Sequence, residues 1–185
     1  MKITPEQAQS VYNNAKCIYD QPRLEKALDQ MALAITEVLG KSNPLIISVM
    51  NGGFVPAGHL LTRLNFPLQV DYLHATRYRE QLTGSGLDWI VYPQNSLKDR
   101  TVLIVDDILD EGVTLKNIMD YCHSRQAKNV YSCVLVEKDH NRKSGCEHAD
   151  FAGLIVEDAY VFGFGMDYKG YLRNVPGIYA VQDNK

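Results

Sequence analysis

Three continuous apolar runs constrain the fold more than any other feature of this sequence. They cover residues 45–50, 101–105 and 130–136, and each has the length of a strand without alternation of polar and apolar side chains. Strands of this kind are buried on both faces, which is typical of parallel sheets covered by helices on either side. Helix-like segments around 56–64 and 114–124 separate the runs. The sequence therefore predicts an α/β fold with a central, mostly parallel sheet and helices on both faces.

Two helices are predicted ahead of the first run. The segment Thr4-Pro5-Glu6-Gln7 resembles a capping box with proline in the first turn, and apolar residues at helical spacing extend this predicted helix to about residue 18. Apolar residues at three- and four-residue steps predict a second helix from Leu24 to Leu39, with Gly40 as its stop. Each helix would pack its apolar face on the core.

Composition limits the function classes that are open to this chain. Its 185 residues, 45% of them apolar, predict one domain with a full core. A net charge of −3 without a basic cluster gives no attraction to phosphate backbones, so nucleic acid is not an expected partner. The first residues enter a helix signal directly and no long apolar run follows, so we expect a cytoplasmic protein without a membrane association. The four scattered cysteines are expected to be free thiols.

The segment from Val102 to Leu115 carries the strongest functional signal. It reads as a buried strand, an acidic pair, a short turn with glycine and the start of a helix. A turn that opens a helix presents unpaired N–H groups, which together with the helix dipole form an anion site. In this order, the elements resemble the signature with which type I phosphoribosyltransferases bind phosphoribosyl pyrophosphate (PRPP).

That resemblance implies roles for the residues of the signature. The residues expected to bind the ribose phosphate of PRPP are Asp106, Asp107, Asp110, Glu111, Gly112, Val113 and Thr114. Asp106 and Asp107 would accept hydrogen bonds from ribose hydroxyls and, together with Asp167, hold Mg²⁺ beside the pyrophosphate oxygens. Glu111 replaces a small hydroxyl residue of the family, so its carboxylate is expected to point away from the phosphate while its N–H contributes.

Further matches imply a pyrophosphate site and a lid. Met50-Asn51-Gly52-Gly53 resembles the family's pyrophosphate loop, in which the N–H groups of Asn51 and Gly52 would bind diphosphate oxygens, although the glycine pair is also consistent with a simple tight turn. The family often has lysine at the position of Asn51. Arg142 and Arg173 would also contact pyrophosphate. Arg77-Tyr78 is similar to the base of the family's mobile loop, here predicted over residues 78–95.

The purine site is implied by residues that follow the third run. Lys138 and Arg142 match a K-x-x-x-R pair that in the family contacts the purine carbonyl and the pyrophosphate, although a solvated basic loop is the alternative. A lysine only donates hydrogen bonds, so it favours a six-oxo purine over adenine. In a stretch similar to the family's purine-binding end, Tyr160 would stack on the base and the backbone of Val161 would contact the ring edge. Asp167 would assist Mg²⁺ or the amino edge of the base.

The resemblance also implies the reaction. Asp110 matches the carboxylate that takes the purine's imidazole proton in the family, a general-base role, whereas the five histidines are expected to be structural or superficial. The function expected is purine salvage, in which hypoxanthine or guanine reacts with PRPP to give IMP or GMP and pyrophosphate. We expect one domain over residues 1–185, with a core at about 40–160, a small hood from the segments 1–20 and 160–185, and assembly into a homodimer or homotetramer.

Two rival functions come from other classes. One is a PRPP-binding regulator that binds nucleic acid, and this would need a basic face or a further domain. The other is a dinucleotide-binding oxidoreductase, but no G-x-G-x-x-G follows any predicted strand. Both are disfavoured by these absences from the sequence.

Overall fold

A computed structural model describes residues 3–77 and 87–182 of the chain. Its elements, in chain order, are α1 (Pro5–Asn14), β1 (Lys16–Tyr19), α2 (Gln21–Leu39), β2 (Leu45–Met50), α3 (Phe54–Leu61), β3 (Gln69–Arg77), β4 (Leu87–Val91), β5 (Thr101–Leu109), α4 (Val113–Ser124), β6 (Asn129–Asp139), β7 (Phe151–Glu157), β8 (Val161–Phe162) and β9 (Ile178–Ala180). Within this part of the chain, no helix is long and apolar enough to cross a bilayer.

The main sheet contains six strands in the order β4-β3-β2-β5-β6-β7. All neighbouring pairs are parallel except β3 and β4, which are antiparallel. Successive residues of the central strands point to opposite faces: Ile46 and Leu103 pack in the cluster that contains α2 and α3, whereas Leu45 and Ile104 pack in the cluster that contains α4. The predicted parallel sheet with helices on both faces is confirmed.

Helix α2 covers one face of the sheet as its periodicity predicts. Asp20 caps its first turn by accepting a hydrogen bond from the N–H of Arg23, and Gly40 follows its last residue. Leu24, Leu28 and Ile35 are fully buried on its inner side. Burial of such side chains contributes about 1.5–3 kcal/mol each, so packing rather than helix propensity holds α2 in place.

The first helix is shorter than predicted. The capping box at Thr4 forms, but α1 ends at Asn14 and residues 16–19 form β1, which pairs with the C-terminal strand β9. The prediction of a helix to residue 18 was wrong because the spacing of apolar residues is also satisfied by a short strand. Its pairing partner lies more than 150 residues away, at Ile178–Ala180.

The two ends of the chain together form the predicted hood. A second, three-stranded sheet has the order β1-β9-β8, so it joins the N-terminal segment to two C-terminal strands. Tyr12 of α1 packs edge to face on Tyr179, with ring centroids 5.1 Å apart, and Phe162 stacks on Tyr179 at 5.8 Å. Aromatic packing between the two segments thus holds the hood together.

Part of the predicted mobile loop is a strand. Residues 87–91 form β4 at the edge of the main sheet, so the boundary of 78–95 was wrong at its C-terminal end. Trp89 explains the difference: its ring stacks on Tyr92 at 4.8 Å and lies 4.5 Å from Tyr121 of α4, which fixes the strand against the helix. Tyr78 and the rest of the predicted loop up to residue 86 lie outside the described residues.

Candidate active site

Two adjoining cavities lie at the carboxyl ends of the central strands, where ligands of open α/β sheets bind. The larger is a cleft of about 1140 Å³ and the smaller a cavity of about 220 Å³. Residues that line both are Asp107, Ile108, Asp110 and Asp167. A ligand with two parts could therefore occupy both cavities at once, with its junction beside these carboxylates.

The turn between β5 and α4 forms one wall of the cleft. Gly112 precedes α4 with φ 78°, and a Cβ at this residue would meet the carbonyl oxygen of Cys146 at 2.1 Å. The Cys146 N–H in turn donates to the Gly112 carbonyl at 3.2 Å. Glycine is thus required both by the left-handed conformation and by the close backbone. Gly112 and Thr114 line the cleft, and their role in binding a phosphate stays a prediction.

The other two residues of the predicted phosphate turn, Glu111 and Val113, are not among the described residues that line the cleft. The Glu111 carboxylate lies 3.5 Å from the guanidinium of Arg142. Its charge is therefore directed to a cation, in agreement with the expectation that it points away from the phosphate turn.

The acidic pair lies within β5, which continues to Leu109 rather than ending before Asp106. Burial raises the pKa of Asp106 well above its ordinary value, and the neighbouring charge of Asp107 raises it further. Burial also raises the pKa of Asp107, although Arg173 and the hydrogen bond from the Ile108 N–H counteract it. Two adjacent, partly exposed carboxyls therefore line the cleft, and Arg173 and the hydrogen bonds of the backbone only partly offset the cost of their burial.

Asn51 and Gly52 face this pair from the end of β2. Both residues line the cleft, and the Met50–Asn51 peptide bond is cis. A Cβ at Gly52 would meet the Asp107 carboxylate at 2.0 Å. The glycine pair is therefore more than a convenient turn, since the backbone of Gly52 needs the space beside Asp107.

Arg173 completes the cleft from the C-terminal segment. Its guanidinium binds Asp167 at 2.6 Å, donates to the Gly165 carbonyl at 2.6 Å and lies 3.8 Å from Asp107. Gly165 has φ 109°, and a Cβ there would meet the carbonyl oxygen of Gly52 at 2.3 Å. The C-terminal segment is thus docked closely on the glycine loop, which places Arg173 and Asp167 in the cleft wall.

The smaller cavity contains the residues predicted to bind a purine. Lys138, Tyr160, Val161 and Asp167 all line it. The Lys138 ammonium, whose side chain is 12% exposed, lies 3.1 Å from Asp110 and 3.7 Å from Asp158. Tyr160 is half exposed and packs edge to face against Tyr168, so its ring remains accessible to a flat ligand.

Asp110 is bound by side chains from the end of β6 and from the loop that follows it. His140 Nε2 lies 2.7 Å from its Oδ1, Lys138 Nζ 3.1 Å from its Oδ2, and Arg142 at 3.9 Å. Burial raises the pKa of Asp110, but the hydrogen bonds from His140 and Lys138 outweigh this effect and lower it. Asp110 is therefore held as a carboxylate that faces both cavities.

Arg142 is not placed as predicted. Its guanidinium donates two hydrogen bonds to Asp158, at 2.6 and 2.8 Å, and Arg142 is not among the described residues that line either cavity. The structure assigns it to the carboxylates around Lys138 instead of to the pyrophosphate loop. The physical reason is the position of Asp158 just after β7, a partner that sequence spacing does not reveal.

Several residues of the site were missed from the sequence. His140 was expected to be structural or superficial, but its ring is 5% exposed and binds Asp110. Its place two residues after Lys138 was the available signal. His74, Thr76 and Asp88 line the cleft from β3 and β4, two strands that the sequence analysis did not identify. Arg77 ends β3, but its side chain lies outside the described part of the chain.

Two groups of residues offer ligands to a cation. Asp107 and Asp167 line the cleft on either side of Arg173 and present the carboxylate oxygens that Mg²⁺ prefers, with Asp106 beside them. This set fits the ion, because burial raises the pKa of Asp106 and Asp107, and a cation beside them would offset that cost. Asp110, His140 and Asp158 also offer ligand atoms within 4.8 Å of one another, and Lys138 and Arg142 bind those carboxylates, as Arg173 binds Asp167 in the cleft. The cleft carboxylates are the ones that the sequence predicts as ligands of Mg²⁺.

Known phosphoribosyltransferases are similar to this chain in sequence and in fold. The hypoxanthine-guanine-xanthine phosphoribosyltransferase of Tritrichomonas foetus is 28% identical over 169 residues, which covers 91% of this chain and 92% of that protein. The hypoxanthine-guanine phosphoribosyltransferase of Aquifex aeolicus is 29% identical over 170 residues, with coverage of 91% and 95%. A hypoxanthine phosphoribosyltransferase structure from Staphylococcus aureus shares the fold, with a TM-score of 0.87 at 22% identity over 94% of this chain and 95% of that one.

A family model shows the membership directly. The model of the phosphoribosyl transferase domain matches residues 14–169. This range includes the strands that line the two cavities and the whole turn between β5 and α4. This agrees with the sequence resemblance on which the site was predicted. The chain therefore belongs to the phosphoribosyltransferase family.

Proposed function

We propose that this protein is a purine phosphoribosyltransferase that converts hypoxanthine or guanine and PRPP to IMP or GMP and pyrophosphate, with Mg²⁺ as cofactor. The observation that carries the proposal is the join between the two cavities. A cavity lined by a lysine and an accessible tyrosine shares the carboxylates Asp107, Asp110 and Asp167 with a cleft that ends in an anion-binding turn. A purine and a ribose phosphate would meet at that junction.

The cleft supports binding of PRPP from both ends. The 5-phosphate would lie on the N-terminus of α4, where Gly112 allows close approach and Thr114 offers a hydroxyl. Asp106 and Asp107 would accept hydrogen bonds from the ribose hydroxyls. The pyrophosphate would lie between the backbone of Asn51 and Gly52 and the guanidinium of Arg173.

The smaller cavity supports a six-oxo purine. Lys138 would donate to the carbonyl at C6, Tyr160 would stack on the ring, and the backbone of Val161 would contact its edge. Adenine carries an amino group in place of that carbonyl, so the ammonium would face a second donor. Asp110 would take the proton from the imidazole ring of the purine as its other nitrogen attacks the ribose and the bond to pyrophosphate breaks.

A magnesium ion would be held by Asp107 and Asp167 with Asp106 beside them. When bound, Mg²⁺ would neutralise the charge that develops on the departing pyrophosphate. The protein's own contribution is to position the two substrates and to supply Arg173 to the same charge. A cytoplasmic location, assembly as a homodimer or homotetramer, and the lid at Arg77 and Tyr78 stay predictions.

The proposal is tested by a product assay with PRPP, Mg²⁺ and each of hypoxanthine, guanine, xanthine and adenine. We expect nucleotide and pyrophosphate from hypoxanthine or guanine, and loss of activity when EDTA removes the metal. A kcat/KM with adenine equal to that with hypoxanthine would contradict the role of Lys138. No product from any of the four purines would contradict the function itself.

A further inference from the structure

His140 is the one imidazole that the structure pairs with a proposed reacting group in the described part of the chain. It lies in the loop after β6, whereas Asp110 lies after β5, and the two are 30 residues apart in sequence. The ring is 5% exposed and its Nε2 lies 2.7 Å from Asp110 Oδ1. The ring is therefore shielded from solvent, and it binds one oxygen of a carboxylate that is itself partly exposed.

The second ring nitrogen fixes the proton position. The backbone N–H of Arg142 donates to His140 Nδ1 at 3.0 Å, so Nδ1 acts as an acceptor and carries no proton. In a neutral ring the proton then lies on Nε2, which donates to Asp110. The geometry thus places the proton of a neutral ring on Nε2, facing Asp110.

The two oxygens of Asp110 have different surroundings. Oδ1 binds His140, which is not among the described residues that line the smaller cavity, and Oδ2 binds Lys138, which lines it. A purine that takes the Lys138 ammonium for its own carbonyl would weaken the bond at Oδ2. The bond at Oδ1 would remain, because the backbone N–H of Arg142 donates a hydrogen bond to the opposite nitrogen of the His140 ring.

We propose that His140 is a positioning residue for Asp110: its Nε2–H anchors Oδ1 and leaves Oδ2 as the oxygen that faces the purine. This inference rests on the proposed function and deepens it. In the reaction the purine's proton would pass to Oδ2, and His140 would keep its own proton throughout. The same hydrogen bond lowers the basicity of Asp110, so its benefit must come from orientation.

The kinetic test compares two substitutions of His140. His140→Phe removes the donor, and we expect kcat to fall about 10- to 100-fold through misplacement of the reacting carboxylate, while the KM for PRPP stays near the wild-type value. His140→Gln keeps an N–H donor and an oxygen acceptor on one side chain, and it should restore most of kcat. The matched control is His148→Phe, because His148 pairs with Glu137 at 2.6 Å on an exposed ring outside both cavities.

Nitrogen NMR of the imidazole ring gives a readout that needs neither substrate nor variant activity. We expect a proton on Nε2 of His140, whose signal is assigned by its absence in His140→Gln. An Nδ1–H tautomer would overturn the inference, as would an unchanged kcat in His140→Phe. If His140→Gln lost as much kcat and as much Tm as His140→Phe, the role of His140 would be structural only, and the inference would also be overturned. An inactive wild-type protein would instead contradict the proposed function.

Discussion

The carboxyls of Asp107 and Asp110 are three residues apart in sequence but lie in opposite electrostatic surroundings. Burial raises the pKa of Asp107 and of its neighbour Asp106, and Arg173 and backbone hydrogen bonds offset only part of that rise. Asp110 has a lowered pKa, because His140 and Lys138 bind it despite its burial. In the phosphate half of the site, ionisation of the acidic pair is therefore disfavoured and would be aided by a bound cation, whereas Asp110 is already held in its charged form by Lys138 and His140.

The difference has a geometric origin. Asp106 and Asp107 are part of strand β5, where the neighbouring strands supply backbone and apolar side chains. Asp110 lies past the end of that strand, where Lys138 at the end of β6 and His140 and Arg142 in the loop after it come within reach. Asp110 is thus satisfied by side chains of one neighbouring segment that do not bind the acidic pair.

The largest expected effect is at Asp110 itself. Asp110→Asn keeps the shape of the side chain but cannot accept a proton, so a general base at this position should lose about 10²–10⁴ in kcat. The KM for PRPP should change little. The measurement is single-turnover kinetics with hypoxanthine, in which product release cannot mask the chemical step.

Asp107→Asn, in the phosphate half of the site, is the matched control. Its proposed contact is with ribose and Mg²⁺, so the loss should appear chiefly as weaker PRPP binding. Full single-turnover activity of Asp110→Asn would reject the base role. The same loss of kcat in both variants would mean that the two halves of the site do not have separate tasks.

The second prediction concerns the close approach of the glycine loop to the acidic pair. Gly52→Ala would place a Cβ 2.0 Å from the Asp107 carboxylate, and we expect kcat/KM for PRPP to fall about 10²-fold because the carboxylate must move. Gly58→Ala is the matched control, since a Cβ there meets nothing within 4 Å and lies in helix α3. It should leave activity unchanged and raise stability by about 0.4–1 kcal/mol. Normal PRPP kinetics in Gly52→Ala would show that Asp107 need not be held in place.

The third prediction tests the purine half of the site, through Lys138. Lys138→Ala removes a hydrogen-bond donor to the purine, and a lost bond to a charged group costs about 1.5–3 kcal/mol, or roughly 10- to 100-fold in affinity. The KM for hypoxanthine should therefore rise far more than the KM for PRPP. Equal increases for both substrates, measured by initial rates, would indicate that Lys138 supports the fold of the loop instead.

The smallest expected effect is a gain in stability at Asp106. Its pKa is raised in the folded protein, so ionisation destabilises the fold above that pKa, and the penalty vanishes as pH falls below the ordinary range near 4. Asp106→Asn should therefore raise Tm at neutral pH, by about 2–4 °C for each kcal/mol recovered. The gain should disappear in acid.

Thermal unfolding in EDTA at several pH values measures this gain. Asp158→Asn is the matched control from the other half: Asp158 has a lowered pKa because Arg142 binds it, so its replacement should give no increase in Tm at neutral pH. A lower Tm for Asp106→Asn across the whole pH range would mean that the acidic pair is better compensated than its surroundings indicate.

Most of the fold could be predicted because its signals are local. Continuous apolar runs identified β2, β5 and β6, and the spacing of Leu24 through Leu39 identified α2, since burial on one or two faces leaves a periodic trace. The elements that were missed or cut short lack such a trace. Strand β1 depends on pairing with residues 178–180, and β4 on the packing of Trp89 against α4.

Adjacent residues alone were enough to identify the family, the parallel sheet and the turn at Gly112, because turn chemistry and strand burial leave local patterns. Which charged groups meet depends instead on how the elements pack. Arg142 binds Asp158 rather than facing Asn51, and His140 binds Asp110 across 30 residues of chain. Ion pairs and hydrogen bonds depend on distances of a few ångströms between elements, and such distances are fixed by packing, which no local spacing of residues encodes.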